Sequence, residues 1–322
     1  MIQVGLIGTG FAAARRAEAL REDSPGRLFA VAGHRPDSTL AFAEKFGLTA
    51  CEDWRELIQS PAVELVMVCG INRDHGEMAR AALESDKHVV VEYPLCLDYA
   101  EGEALLALAR RRRKLLHVEH IELLGGLHQA IRRYLPEIGA VAYARYATVQ
   151  PQTPAPERWT YHSEEFGFPL IAALSRVHRL TDLFGAVASV SCQNRIWPRE
   201  TSPYYRGCLC QTQLAFQNGV LAEVLYGKGE VFAWGERRFL IEGEAGTLIF
   251  DGEEGVLRRG DEEKTLEVGS KRGLFLKDTQ AVLDHLIDGA PLYVQPEASL
   301  YALKVAAGAQ TSALEGRQTR LL

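Results

Sequence analysis

The stretch "IQVGLIGTGFAAARRAEAL", residues 2–20, decides the fold. It opens as a β-rich run, passes through two glycines and continues with a helical pattern in which Ala17, Ala19 and Leu20 recur. Gly8, Gly10 and Ala13 make a GxGxxA fingerprint. The first glycine permits a tight turn, the second lets the backbone approach a pyrophosphate, and the small third residue lets the helix pack on the strand. A pyrophosphate placed there meets free N–H groups and the positive end of the helix dipole. The fingerprint alone is a weak signal; the strand before it and the helix after it supply the context it requires.

The alternation continues outward. "LFAVAGH" (28–34) precedes helical "STLAFAEKFG" (38–47), "VELVMVCG" (63–70) precedes "HGEMARAALESD" (75–86), and "HVVVEYP" (88–94) precedes "YAEGEALLALARRRR" (99–113), with "KLLHVEHIE" (114–122) after them. Near-continuous apolar strands alternating with helices indicate a parallel sheet covered on both faces. The expectation is an α/β, doubly wound Rossmann domain over residues 1–122. NAD enzymes usually carry an acid at the end of the second strand for the ribose 2′-OH, whereas "GHRPDST" (33–39) places His34 and Arg35 there. Arg35 suits a 2′-phosphate, so NADPH is expected, with NADH weaker. The other reading makes Arg35 a solvated loop residue and gives the acid's place to Asp37.

From residue 123 the pattern changes to strand-like runs joined by Gly, Asn and Asp turns, among them "AVAYARYATV", "CLCQTQLAFQ" and "VLAEVLYG". Helices are expected at about 123–135, 170–184, 274–288 and 297–315, covering one face. Residues 123–322 therefore read as an α+β substrate domain with a large, mainly antiparallel sheet. Its other face suits either dimer contact or solvent, and the sequence does not choose an oligomeric state.

Composition narrows the partners. With 322 residues, 47% of them hydrophobic, a net charge of −6 and a pI near 5.9, the surface as a whole repels nucleic acid and anionic membrane. Any anionic ligand must be met by local bases. "RRRRK" (110–114) ends a helix and reads as a solvated face. The six cysteines, at 51, 69, 96, 192, 208 and 210, form no CxxC pair and read as thiols of a reducing cytoplasm. No export leader and no membrane span is expected. His117 and His120, three apart on a predicted strand, would face opposite sides, so no metal is assigned. His120 either looks into a cleft or is structural.

"EFGFPLIAALSRVHRLTDLFG" (165–185) reads as a helix with Leu170, Ala173, Leu174, Val177, Leu180 and Phe184 on one face and Ser175, Arg176, Arg179 and Asp182 on the other. Fixed positive charge, rather than a proton acceptor, occupies that polar side.

The fingerprint turn, "CGINRDH" (69–75), "VEYP" (91–94), "IEGEAGTLIF" (241–250) and "PLYVQPEASLYALKVA" (291–306) together resemble the glucose-fructose oxidoreductase and inositol dehydrogenase superfamily. The resemblance implies cofactor contacts from Gly8, Gly10, Phe11 and Ala13, from His34 and Arg35, from Cys69, Gly70, Asn72 and His75, and from Glu92 and Tyr93. Two departures stand out. Most members carry Glu-Lys-Pro where this chain has Glu92, Tyr93 and Pro94, and the Asp, His, Asp pattern of the sugar-oxidising members falls on Ser175, Arg179 and Asp182. The usual proton acceptor for an alcohol is thereby lost.

With "HVEHIELLGGLHQAIR" (117–132), "APERWTYH" (155–162), "FGFPL", "LSR" and "DLFG", the departures resemble the biliverdin reductase family, its cyanobacterial branch more than its animal one. That resemblance implies NADPH-dependent reduction of biliverdin to bilirubin, by hydride transfer to the central methine carbon and proton uptake at a pyrrole nitrogen. Arg176 is then the principal cation beside the bilin. An unperturbed guanidinium pKa of about 12.5 makes direct proton donation at neutral pH roughly 7 kcal/mol uphill, so polarisation of the nitrogen, with solvent supplying the proton, is preferred. Arg179 is either a second cation for the substrate or a partner of Asp182 or Ser175 on its own helix. Tyr93 supplies a phenol donor or a flat wall or is an ordinary packing tyrosine, Glu122 faces the bilin nitrogens or serves as a hinge or salt bridge, and Trp159, with Tyr161, lines an apolar cleft or belongs to the core. Two other readings stay open: an NADP-dependent sugar or polyol oxidoreductase, and a non-catalytic NADP-binding regulator.

Overall fold

The alternation read in the first third of the chain folds as a six-stranded parallel sheet. The structure is a computed structural model that describes residues 1–20 and 24–321. Its first unit takes in Met1–Ile121 and Gly273–Leu300. In chain order it holds β1 (Ile2–Ile7), α1 (Phe11–Ala19), β2 (Gly26–Ala32), α2 (Pro36–Phe46), β3 (Thr49–Cys51), α3 (Trp54–Gln59), β4 (Leu65–Val68), α4 (His75–Glu84), β5 (His88–Val91), α5 (Tyr99–Arg112) and β6 (Leu116–Val118). The strand order β3-β2-β1-β4-β5-β6 is that of a doubly wound dinucleotide fold, in which ligands bind outside the carboxyl ends of the strands. All four residues of β4 are buried, as a strand covered on both faces requires.

The second unit takes in Glu122–Arg272 and Tyr301–Leu322. It holds α6 (Gly126–Tyr134), β7 (Val141–Pro151), α7 (Ser163–Phe166), α8 (Pro169–Ala172), α9 (Ser175–Phe184), β8 (Val187–Arg199), β9 (Ser202–Phe216), β10 (Leu221–Gly229), β11 (Glu236–Gly243), β12 (Gly246–Asp251), β13 (Glu254–Arg259) and β14 (Glu262–Leu266). α10 (Leu274–Asp288) belongs to the first unit, the division falls inside α11 (Pro296–Glu315), and β15 (Thr319–Arg320) closes the chain. The nine-stranded sheet runs β14-β13-β12-β11-β7-β10-β9-β8-β15 and is antiparallel except at β7 against β10. On β9, Cys208, Cys210, Thr212 and Leu214 are buried while Gln211 and Gln213 are exposed, the alternation of a strand with one covered side.

The first boundary falls one residue from its expected position, but the second half is not continuous. α10, expected to cover the second domain, packs with the first unit because Val282 and Leu283 join the core of Val4, Leu6, Val31, Leu65, Met67 and Val90. The basic run also resolves simply: Arg110 pairs with Glu297 at 2.6 Å and Arg112 with Asp86 at 3.4 Å, on an exposed helix end. All six cysteines are free thiols. Among the described residues no helix is long and apolar enough to cross a membrane.

Candidate active site

In the first unit the fingerprint turn has the geometry its sequence demands. Gly8 has φ +121°, and a Cβ there would stand 2.4 Å from the Cys69 carbonyl oxygen, so no other residue fits. Gly10 precedes α1, and a Cβ at Gly10 would meet nothing within 4 Å. Ala13 is fully buried against the sheet, while Phe11 is exposed and meets Phe275 edge-on at 6.1 Å. The first N–H groups of α1 have no intrahelical acceptor, and no acidic residue stands in its first turn. This cradle fits a pyrophosphate.

At the end of β2, the Arg35 carbonyl accepts from Ser38 Oγ and Thr39 Oγ1, each at 2.9 Å, which fixes the backbone. The Arg35 side chain is exposed, as is His34, and Arg35 makes no ion pair among the described residues. Asp37 lies in the first turn of α2. A guanidinium at a helix N-terminus suits a phosphate better than a ribose hydroxyl.

Around the ends of β4 and β5 the structure changes several expected roles. His75 is buried, with Nδ1 2.8 Å from the Pro94 carbonyl and Nε2 3.2 Å from the Gly70 carbonyl. Burial lowers its pKa, so a neutral ring donates to one carbonyl at a time. His75 ties two loops together through the Pro94 and Gly70 carbonyls. Asn72 is likewise buried in the turn that opens α4. The Glu92 carboxylate accepts from Arg16 Nε at 2.9 Å, with Cys69 Sγ 4.0 Å away. Tyr93 is half-buried, its ring stacked on that of His120 with centroids 5.5 Å apart. His120 lies beyond the end of β6, fully buried, with Nε2 2.8 Å from Ser299 Oγ. It backs the Tyr93 ring.

Arg16 was invisible to motif reading. It is fully buried, donates through Nη1 to Thr279 Oγ1 at 3.0 Å and to Asp278, and through Nε to Glu92. Asp278 in turn receives His117 Nε2 at 2.8 Å and Tyr293 Oη at 2.6 Å. Burial would raise the Asp278 pKa, but Arg16 and His117 hold it well below the usual carboxylate range. The available signal is that Ala13, Arg16, Ala17 and Leu20 follow one another at helical spacing, which puts a charge inside an apolar stripe.

In the second unit, the expected helix breaks at Ala173 into α8 and α9. Its apolar side is buried as read. Its polar side is not solvated either: Ser175 is 7% exposed and Arg179 5%. Both arginines are seated on β7 and β10. Arg176 donates through Nε to Thr148 Oγ1 at 3.3 Å and through Nη1 to Ser175 Oγ at 2.9 Å, with its guanidinium 5.4 Å from the Tyr226 ring centroid. The Arg179 guanidinium lies 5.8 Å from the Tyr146 ring centroid. Tyr146 and Thr148 share one face of β7, about 6.6 Å apart, so residues three apart on a helix fall over consecutive inward positions of the strand.

Arg179 pairs with neither expected partner. Asp182 is taken by His128 at 2.8 Å and by Arg132 at 3.8 Å, and Ser175 by Arg176, so Arg179 Nε and Nη1 are buried without an acceptor. A Glu122 carboxylate oxygen lies 3.4 Å from His178 Nδ1. Tyr161 is core, 5.4 Å from Tyr205, while Trp159 stays half-buried beside Phe166.

Residues 2–120 match the profile of an oxidoreductase family with an NAD-binding Rossmann fold, and residues 135–321 that of the same family's C-terminal alpha/beta domain. Over 97% of this chain and 98% of the other, the structure superposes on biliverdin reductase from Synechocystis sp. PCC 6803, crystallised with biliverdin and NADP+, with a TM-score of 0.95 and 54% identity. Biliverdin reductase A of Mus musculus is 25% identical over 310 residues, 95% of this chain and 94% of that one. The NADP(+)-dependent scyllo-inositol 2-dehydrogenase of Bacillus subtilis is 27% identical over 305 residues, 83% of this chain and 81% of that one. Matched by both of its domain profiles, the chain belongs to the glucose-fructose oxidoreductase and inositol dehydrogenase family of Rossmann-fold oxidoreductases.

Proposed function

We propose that this chain is an NADPH-dependent biliverdin reductase that forms bilirubin. The observation that carries the reading is the cationic side of α9, where Arg176 and Arg179 stand over β7 and where Ser175 and Arg179 occupy the places of the aspartate and histidine that alcohol oxidation uses. The full-length likeness to the Synechocystis enzyme crystallised with biliverdin and NADP+ supports it.

Gly8, Gly10 and the N-terminus of α1 hold the pyrophosphate, and Arg35 the 2′-phosphate. NADPH, when bound, supplies the hydride that goes to the central methine carbon of the bilin. The protein's part is to accept a flat dianion and to favour its protonated ring system. Arg179, with two buried N–H groups lacking an acceptor, takes a carboxylate or lactam oxygen. Arg176, held in place by Thr148, Ser175 and Tyr226, donates to the ring nitrogen's surroundings while solvent delivers the proton. Tyr93 offers its ring as a wall, braced by His120. Trp159 offers apolar surface at the edge of the substrate unit. Six free thiols fit a reducing, cytoplasmic compartment.

Mixing the protein with NADPH and biliverdin tests the reading: the blue-green absorbance should fall as a yellow one grows. NADP+ with inositols or hexoses should yield no NADPH. Tight NADPH binding without bilin turnover would favour the regulator instead.

A further inference from the structure

Lys228, on β10, turns its ammonium into the second unit, and the residue is 6% exposed. Nζ donates to the Thr160 carbonyl and lies 3.3 Å from the ring centroid of Phe166, 4.7 Å from that of Tyr161 and 5.5 Å from that of Tyr205. Among the described residues no carboxylate pairs with it. Aromatic faces favour a cation, but desolvation is the larger effect: burial, with Arg158 and Arg176 adding to it, lowers the Lys228 pKa to about 7. Tyr226 and Lys228 project from the same face of β10, and Tyr226 carries the ring beneath Arg176. One strand repeat of about 6.6 Å therefore separates the lysine's position from the Arg176 seat. A methionine would fill the same cage without the cost of a buried charge.

We propose that Lys228 is a positioning residue for the substrate: its ammonium, caged by Tyr161, Phe166 and Tyr205, backs the Arg176 seat with a second positive charge that helps hold the pigment's carboxylates. The proposal rests on the reading that the substrate is a dicarboxylate bilin. Facing the lysine are Arg158 ahead of the cage, Tyr161, Phe166 of α7, Tyr205 and Cys208 of β9, and Arg176 of α9. Burial raises the pKa of Tyr161, Tyr205 and Cys208, so these stay neutral where the lysine changes charge. Glu230, just past β10, is occupied by the Ala155 N–H at 3.1 Å and by Arg206 at 3.7 Å.

The test is the affinity for biliverdin in the presence of NADP+, which blocks turnover, measured by absorbance titration from pH 6 to pH 8.5. Wild-type affinity should fall about fivefold over that range as the charge is lost. Lys228→Met should bind at the weak, high-pH value throughout, and Lys228→Arg tightly throughout, both with normal NADP+ affinity as the sign of an intact fold. A Lys228→Met protein that keeps the wild-type affinity and its pH dependence would overturn the proposal, as would weak binding by Lys228→Arg. Failure of the wild type to bind biliverdin at any pH would instead sink the proposed function.

Discussion

Asp182 accepts a hydrogen bond from His128 at 2.8 Å and not from Arg179, which precedes it by three residues on α9. The pairing removes the one carboxylate on the arginine's own helix and leaves a buried guanidinium with unmet donors. Unmet donors in a folded protein cost about 1–3 kcal/mol each, a cost that a ligand oxygen removes.

Arg179→Leu should therefore raise the stability of the ligand-free protein by about 1–2 kcal/mol, and weaken biliverdin binding by about tenfold or more. Thermal unfolding and equilibrium titration check the two halves. A less stable variant would mean that the guanidinium already has a partner.

Arg176 is seated by contacts to Thr148, Ser175 and the Tyr226 ring. Arg176→Ala should lower kcat with biliverdin by about 10² or more, on the scale of losing a transition-state donor, with NADPH affinity near normal. Tyr93→Phe should cost less, since its stacking on His120 survives.

Arg35 is exposed at the N-terminus of α2, with its carbonyl rather than its guanidinium engaged by Ser38 and Thr39. Arg35→Ala should weaken NADPH binding by about tenfold to a hundredfold and leave NADH binding nearly unchanged. Equal losses for both nucleotides, measured by fluorescence titration, would refute a 2′-phosphate contact.

Removing the Asp278 charge leaves the buried Arg16 with Glu92 as its remaining ion-pair partner among the described residues, so Asp278→Asn should destabilise the protein by about 3 kcal/mol, the low end for a broken buried pair. The Asp278 pKa is depressed in the folded state, so its stabilisation is present above the ordinary value of 3.8 and lost as pH falls toward the folded value. The gap between wild type and variant in urea unfolding should accordingly be full at pH 7 and narrow in acid.

The sheet of the first unit was legible because apolar strands and helical repeats differ in period, and Gly8 because only glycine fits beside the Cys69 carbonyl. α10 was legible as a helix but not as part of the first unit, since an amphipathic face does not say which core it meets; Val282, Leu283 and Asp278 decide that. Motif and strand-end position single out His75 and His120, but not the carbonyls and the Ser299 hydroxyl that their nitrogens meet. No motif marks Lys228, although Ala222, Val224 and Tyr226 set an inward phase that the lysine continues. Contacts between distant segments, not local spacing, settle such residues.

The most direct test of the central claim uses NADPH deuterated at C4 of the nicotinamide. With this protein and biliverdin, mass spectrometry and proton NMR should find one deuterium in the bilirubin formed, at the central carbon between the two middle rings. Bilirubin without deuterium there, or no bilirubin from a protein that binds both ligands, would contradict the account.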